Sequence, residues 1–258
     1  MKNPKPNPVC LAFAKILTMA KHFFFPPECV FCGRIMEIGT ISLICPDCKA
    51  QLSFVSEKLC CEKCGKPIVS HGKRRLCYFC AEGKSHHFDR IVSAFEYTQS
   101  VRESIVRYKV FGTEGYSKTY ADFLSQLVLE YYPHLTFDFI CCAPPHTKSS
   151  KKQGTDRMNL LCRALSVRLK IPFEKDLLIK TRKTAKQTKL NYLERLTNLK
   201  DSILADRPEA VRGKTVLLVD DVCTTRATIM ECSRALKAAG AKRVYALTIA
   251  TTVKKNES

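Results

Sequence analysis

Eight cysteines form four C-x-x-C pairs: Cys29/Cys32, Cys45/Cys48, Cys61/Cys64 and Cys77/Cys80. Two thiols three positions apart in a tight turn can both face one ion, and such pairs make poor structural disulfides. The second set repeats the first at an offset of 32 residues, with 12 residues between the pairs of each copy and a glycine, Gly33 or Gly65, after the second ligand. The pattern predicts a repeated zinc ribbon with about two structural Zn²⁺ per chain.

The alternative for a thiol-rich chain is a disulfide scaffold in an oxidising compartment. The N-terminal segment has an apolar stretch over residues 9–20, but Lys15 interrupts it and no small-residue cleavage site follows. No segment approaches the roughly 18–20 apolar residues of a membrane span. We therefore expect a cytoplasmic protein without a membrane span. Two sequential sites are favoured over a cross-braced pair, because each repeat contains a full ligand set.

A second group of reactive residues follows an apolar strand near the C-terminus. Val216–Val219 runs directly into Asp220 and Asp221, and then into a threonine-rich turn, residues 224–228. Paired carboxylates can accept hydrogen bonds from vicinal hydroxyls or hold a hydrated Mg²⁺. A turn of this kind at a helix N-terminus stabilises a phosphate. Together the carboxylates and the turn indicate a binding site for a phosphorylated ribose. The alternative is a capped turn with two solvated aspartates and no ligand.

The elements that must position these residues follow a strand and helix alternation. With 258 residues, 45% hydrophobic and 26% charged, the chain is of ordinary globular composition, so fibrous and disordered classes are excluded. After Cys80 we predict strands over 90–97, 137–142, 215–219 and 243–250, and helices over 101–110, 120–132, 160–169 and 228–239. Such alternation predicts an α/β fold, a mostly parallel sheet flanked by helices.

The charge is strongly basic, with 43 Lys+Arg against 24 Asp+Glu and a formal net charge of +19. Residues 151–258 hold 24 basic and 11 acidic residues, and residues 175–200 hold eight and two. A run of basic residues is often only a solvent-exposed face of the protein. The alternative is that it binds a polyanion, whose affinity rises with each phosphate that a basic residue neutralises. Single-stranded DNA suits this charge best. Four aromatic residues near knuckles or basic residues are stacking candidates, with core packing as the alternative: Phe31, Tyr78, Phe79 and Tyr192.

These residues resemble a known family. The segment from Asp220 to Thr228 resembles the phosphoribosyl-pyrophosphate signature of type I phosphoribosyltransferases. Over roughly residues 20–252 the chain resembles the ComF competence proteins, which join a double zinc ribbon to that domain. Further matches are Phe25-Pro26-Pro27, Tyr108-Lys109 with Gly112, Asp138-Phe139-Ile140 before Pro144, and the run Arg182, Thr184, Gln187, Leu190, Arg195 and Asn198.

The resemblance implies a type I phosphoribosyltransferase-like fold and three parts: an amphipathic segment over 1–28, the double zinc ribbon over 29–82 and the phosphoribosyltransferase-like domain over 88–253. It assigns Asp220 and Asp221 as catalytic residues that contact ribose hydroxyls and the Mg²⁺ shell. The resemblance assigns binding of the phosphoribosyl and phosphate groups to seven residues: Thr224, Thr225, Arg226, Ala227, Thr228, Arg182 and Arg195. The last two lie within a hood over 182–198. The loop after Pro144 would face pyrophosphate.

For function, the resemblance implies binding of single-stranded DNA in natural transformation, with phosphoribosyl pyrophosphate and Mg²⁺ as ligands. A helicase or translocase of the uptake machinery is a candidate partner. An active phosphoribosyltransferase acting on a base or small amine is the alternative. Two departures leave catalysis open: Arg226 stands where the signature has glycine, and Asp156-Arg157-Met158-Asn159 replaces Arg-Gly-Phe-Asn. We expect Arg226 to strain the loop or to cap the phosphate.

Overall fold

The computed structural model describes residues 26–40, 42–68, 75–82, 86–145, 157–182 and 198–253. The described chain divides into two compact units between Gln51 and Leu52. The first unit holds one cysteine ribbon and a short helix, α1 (Pro46–Gln51). The second unit holds the other ribbon, a 3₁₀ turn (Val55–Glu57), and the α/β elements. The segment limits inferred from sequence, 1–28, 29–82 and 88–253, stay a prediction.

The second unit is built on a parallel sheet, as the alternation predicted. Within the described ranges the sheet has four strands in the order β1-β6-β5-β2, and β3 and β4 form a separate antiparallel pair. The strands are β1 (Arg90–Glu96), β2 (Phe139–Cys142), β3 (Leu178–Lys180), β4 (Ile203–Ala205), β5 (Thr215–Cys223) and β6 (Arg243–Thr251). The β3–β4 pair was not predicted.

The helices agree with the predicted order and are mostly longer. They are α2 (Tyr78–Ala81), α3 (Gln99–Phe111), α4 (Glu114–Tyr131), α5 (Arg157–Leu169), α6 (Pro208–Val211) and α7 (Ala227–Ala238). In α3 the buried residues Val101, Ile105 and Tyr108 recur at four and three positions, which gives the helix one apolar face toward the core. No helix in the described ranges is both long and apolar enough to cross a bilayer.

The central strand β5 explains how the ribbon and the sheet share a core. Val216 to Val219 are all fully buried, as expected for a strand covered on both faces. Successive side chains point to opposite faces. Val216 and Leu218 belong to one apolar cluster with α7 residues and all four cysteines of the second ribbon. The second ribbon is therefore part of the packing of the α/β sheet.

Candidate functional site

The two aspartates lie where β5 extends beyond its neighbour β2. Pairing with β2 ends at Val219, where the last bond is from the Ala143 amide to the Val219 carbonyl at 3.0 Å. Pairing with β6 continues, with Asp220 opposite Thr248. The strand therefore ends later than predicted, at Cys223, and its β2 side is open from Asp220 onward. Side chains at this carboxyl edge can face a ligand.

Local hydrogen bonds fix both carboxylates. The Asp221 amide donates to Asp220 Oδ1 at 2.9 Å, and the Val222 amide donates to Asp221 Oδ1 at 2.7 Å. Each aspartate keeps oxygen lone pairs available, because a carboxylate can accept about four hydrogen bonds. The pair is thus preorganised for hydroxyl groups or for a cation.

Lysines from two other elements set the electrostatics. Lys109 Nζ of α3 forms an ion pair with Asp221 Oδ2. Desolvation, and next the charge of Asp221, raises the pKa of Asp220 to about 7, while Lys109 and Lys180 act in the opposite direction. Desolvation lowers the pKa of Lys109, but Asp221 outweighs it and the net pKa is raised. Desolvation of Lys180 lowers its pKa. A carboxyl group whose pKa is raised to near neutral pH by burial and a neighbouring charge is typical of a functional site.

The phosphate loop, defined as Cys223–Thr228, runs from the last residue of β5 into the first turn of α7. Its Thr225 Oγ1 accepts a hydrogen bond from the Ala227 amide at 3.4 Å, and the Met230 amide donates to the Arg226 carbonyl at 2.8 Å as α7 begins. Together with Asp220, the loop lines a small cavity of about 10 Å³. A helix N-terminus with nearby hydroxyls carries partial positive charge, so this loop can hold an anion such as a phosphate.

Arg226 adopts the backbone conformation that glycine usually supplies. Its φ of 66° and ψ of −1° are left-handed, and it is the N-cap of α7. The side chain is buried, with Nη1 lying 3.5 Å from Cys64 Sγ and the guanidinium carbon 4.2 Å from the Phe79 ring centroid. In the described geometry the guanidinium contacts the second ribbon, and the expectation that it caps the phosphate stays a prediction.

Arg157, which departs from the family pattern, lies at the start of α5 and packs against α3. A Cβ on Gly112 would lie 2.7 Å from Arg157 Cγ, so glycine leaves the space that Arg157 fills. Arg157 Nη2 donates to the Val110 carbonyl at 2.9 Å, and the Tyr108 hydroxyl donates to the Arg157 carbonyl. Asn159 is buried. Asp156 lies outside the described residues, as do residues 146–155 of the predicted pyrophosphate loop.

Arg182 bonds the two ends of the predicted hood to each other. Its Nη2 donates to the carbonyls of Asn198 and Lys200, each at 3.0 Å. Arg195 lies outside the described residues, as do Thr184, Gln187, Leu190 and Tyr192. The assignment of Arg182 and Arg195 to phosphate groups stays a prediction.

In the described part of the chain, two four-cysteine clusters have the chemistry of structural zinc sites. Within each cluster all four Sγ atoms lie within 4.8 Å of one another. Tetrahedral zinc with Zn–S near 2.3 Å separates its sulfurs by about 3.8 Å. The distances from Cys32 to Cys45 and from Cys64 to Cys77 are both 3.7 Å. The predicted ligand sets are therefore brought together as two sites.

The two knuckles repeat one backbone pattern. Gly33 donates to the Cys29 carbonyl and Gly65 to the Cys61 carbonyl, both at 2.8 Å, and both glycines have positive φ, 77° and 65°. Burial distinguishes the two clusters. Cys32 of the first cluster is exposed, whereas all four ligands of the second are buried. The second site is the more protected from solvent.

A separate basic cavity of about 480 Å³ lies at the outer edge of β1. Its lining includes the cations Lys58, Arg75 and Arg90 and the aromatic ring of Tyr131. The Arg90 guanidinium carbon lies 4.9 Å from the Tyr131 ring centroid. Cations beside an aromatic platform suit a phosphate joined to a base.

Sequence reasoning missed several contributors to these sites. It noted Lys109 only as a family match and gave Lys180 no role, although both bear on the Asp220 and Asp221 pair. The contact of Arg226 with Cys64 was also missed, because 162 positions separate the two residues. No spacing signal in the chain could have indicated these contacts.

Two family descriptions match the chain. Residues 20–81 match the double zinc ribbon domain, and residues 160–258 match the phosphoribosyl transferase domain. The fold is therefore that of a phosphoribosyltransferase-like α/β protein with an N-terminal zinc ribbon, as the motifs predicted. In the solved structures, an adenine phosphoribosyltransferase is similar at a TM-score of 0.36 and 15% identity, over 56% of this chain and 82% of that one.

Curated relatives match over most of the chain. Competence protein ComFC of Streptococcus pneumoniae is 30% identical over 232 residues, which cover 84% of this chain and 96% of that protein. DNA utilization protein YhgH of Escherichia coli is 27% identical over 88% of this chain and 98% of its own. Competence protein ComFC of Bacillus subtilis is 24% identical over 75% of this chain and 77% of that protein.

Proposed function

Since the chain belongs to the ComF family of competence proteins, we propose that it handles single-stranded DNA during DNA uptake and binds phosphoribosyl pyrophosphate in its α/β domain. The observation that supports the second part is the carboxyl edge of β5, where a fixed pair of carboxylates precedes the phosphate loop at the N-terminus of α7. Neighbouring diol and phosphate sites match the two ends of a phosphorylated ribose.

In this proposal the ribose hydroxyls donate to Asp220 and Asp221, and the 5′-phosphate accepts from the hydroxyls and amides of the phosphate loop. Lys109 supplies positive charge beside the carboxylates. The two carboxylates also fit Mg²⁺, a hard cation that prefers oxygen ligands and is commonly held by one or two carboxylates plus substrate phosphates. Mg²⁺ would bring charge neutralisation for the pyrophosphate, and the carboxylates would orient the sugar.

Calorimetry with phosphoribosyl pyrophosphate and Mg²⁺ tests this site. We expect the wild type to bind and the Asp220→Ala/Asp221→Ala variant to lose binding, because it lacks the diol acceptors. Asp122→Ala is the control, since Asp122 is an exposed carboxylate on α4 paired with Arg168. Equal binding by the double variant and the wild type would refute the proposed site.

The DNA part of the proposal is favoured by the basic cavity at β1. Arg75 and Arg90 can neutralise backbone phosphates, and the stacked Arg90 and Tyr131 pair offers a surface for a base. Neither contact depends on base identity, because every base has a π face and every nucleotide a phosphate. The cavity therefore suits single-stranded DNA of any sequence.

Anisotropy of a fluorescent oligo-dT between about 50 and 200 mM salt tests the DNA part. Arg75→Ala should lower the slope of log affinity against log salt by about one, as the loss of one phosphate contact does. Tyr131→Ala should weaken binding while leaving the slope unchanged, since stacking releases no counterion. Lys118→Ala, an exposed cation paired with Glu114, is the control. Absence of wild-type binding at low salt would remove the DNA proposal.

An active phosphoribosyltransferase is the second candidate function, favoured by the backbone of Arg226. Its left-handed φ of 66° is the conformation for which the signature uses glycine, so the substitution keeps the loop's shape. Transfer would break the bond between ribose C1 and pyrophosphate. Release of pyrophosphate in the presence of a panel of bases and small amines tests it, with the Asp220→Ala/Asp221→Ala variant as the blank. Release equal to that blank would exclude transfer to those acceptors.

A further inference from the structure

Arg226 belongs to the phosphate loop by sequence and to the second cysteine cluster by contact. We propose that it is a positioning residue through which the metal-loaded second cluster (Cys61, Cys64, Cys77 and Cys80) holds the phosphate loop in its binding shape. The part of the proposal that concerns phosphate binding rests on the proposed function, whereas the part that concerns the metal site stands without it.

The backbone of Arg226 needs support from its side chain. Left-handed dihedrals are energetically unfavourable for any residue that has a Cβ, and glycine avoids this cost. Residues other than glycine keep this conformation where surrounding contacts hold them in it. Arg226 has this conformation at the N-cap of α7, the position from which the loop amides are directed. A change in the Arg226 dihedrals would redirect these amides. The loop shape therefore depends on whatever fixes Arg226.

The side chain of Arg226 is fixed by the ribbon. Its guanidinium contacts Cys64 Sγ and the face of Phe79, and the residue is only 6% exposed. Phe79 lies between the ligands Cys77 and Cys80 on α2. Both contacts are thus made to the ribbon's metal-binding turns, and both depend on the same knuckles being closed around the ion.

Charge gives the contact its strength. Four thiolates around one Zn²⁺ leave a net charge of about −2 on the cluster. A buried guanidinium that donates to one of those thiolates offsets part of that charge, and charge-assisted hydrogen bonds are the stronger kind. The first cluster differs, because Arg34 is exposed and bonds the Asp47 carboxylate at 2.7 Å. Arg226 should therefore stabilise metal at the second cluster in particular.

The energetic connection must act in both directions, because coupling between two binding events is reciprocal. If metal at the second cluster holds Arg226 and the phosphate loop, a phosphorylated ligand on the loop must raise the affinity of the cluster for that metal, and we expect the higher affinity to appear as slower metal release. Zinc loss from the second cluster then reports on the phosphate site without any catalytic assay.

The test is the rate of zinc release to a chromogenic chelator from the full-length chain. A Cys32→Ser background removes the first site's zinc, so that release reports on the second cluster alone. In this background we expect Arg226→Gly to release zinc about tenfold faster or more, the size expected for one charge-assisted hydrogen bond. Glycine accepts the left-handed backbone, so the variant removes the side chain without adding strain. An unchanged rate would overturn the proposal.

Two controls keep the result interpretable. Arg226→Lys preserves the charge and the Cβ but not the planar fork, and it should fall between the wild type and Arg226→Gly. In the chain with both sites intact we expect two phases of release, the slower one from the second cluster because all four of its ligands are buried. Arg34→Ala should leave this slow phase unchanged. A slow phase accelerated equally by Arg34→Ala would assign the effect to general destabilisation and contradict a specific role of Arg226.

The ligand arm repeats the measurement with saturating phosphoribosyl pyrophosphate and Mg²⁺. We expect release to slow by about fivefold or more in the Cys32→Ser chain, the lower end of typical coupling, and to be unaffected once Arg226→Gly is added. Binding by calorimetry without slower release would refute the coupling and leave the proposed function intact. No binding by calorimetry would refute the proposed function, while the ligand-free arm would still decide whether Arg226 stabilises the metal.

Discussion

Gly65→Ala is expected to destabilise the second unit because Gly65 lies directly against the edge of the sheet. A Cβ at this position would overlap the Ile91 carbonyl oxygen and lie 3.3 Å from its carbon and 3.4 Å from Val92 Cα. These are backbone atoms of β1, so no side-chain rotation relieves the overlap. The neighbouring bond from the Ile91 amide to the Lys63 carbonyl, 3.0 Å long, would also be disturbed.

The magnitude has two parts. Alanine at a left-handed φ of 65° costs about 1 kcal/mol. Overpacking against a well-packed element adds about 1–3 kcal/mol. Gly213→Ala is the matched control, since Gly213 lies in the same unit with a φ of 74° and a Cβ added there would have nothing within 4 Å. Gly213→Ala should show only the cost of the left-handed backbone, without the cost of overpacking.

Thermal unfolding of the zinc-loaded chain, followed by circular dichroism, measures the difference. A loss of 1 kcal/mol lowers the Tm of a domain of this size by about 2–4 °C, so we expect Gly213→Ala to lose about that much and Gly65→Ala about 5–15 °C. Gly33→Ala, the equivalent substitution in the first ribbon, also meets no atom within 4 Å. Equal losses for Gly65→Ala and Gly213→Ala would refute the reasoning that the ribbon is packed on β1.

The carboxylate pair and the cysteine clusters allow three further tests. Binding of phosphoribosyl pyrophosphate should strengthen from pH 6 to 8, because the pKa of Asp220 is about 7 and its ionised form is the stronger acceptor for the ribose hydroxyls. Asp220→Asn should flatten this dependence in calorimetry, and a flat wild-type profile would contradict the prediction. Lys109→Met should move the midpoint to higher pH, since Lys109 lowers the pKa of Asp220, whereas Lys118→Met on α4 should leave it in place. Elemental analysis should find about two zinc per chain, and one would overturn the two-site assignment.

Much of the architecture was predictable because its signals are local. Apolar runs and helical spacing indicated the order of strands and helices, and the described elements follow it. The extension of β5 to Cys223 was not predictable, because polar residues continue the strand only where β6 offers partners. The pair formed by Leu178–Lys180 and Ile203–Ala205 was also missed, since each strand has three residues and its partner lies beyond the intervening hood.

The sequence by itself determined which residues form each cysteine cluster and that two carboxylates precede a threonine-rich turn at the start of a helix. Both are local features of the chain. The metal ligands are recognised by their spacing within a knuckle, and the carboxylates by their position at the junction of a strand and a helix. Only the tertiary structure decided that the second cluster shares a core with the sheet, that Lys109 pairs with Asp221, and that Arg226 lies on Cys64. Such contacts join segments far apart in the chain, and they depend on how whole elements pack, which residue spacing does not encode.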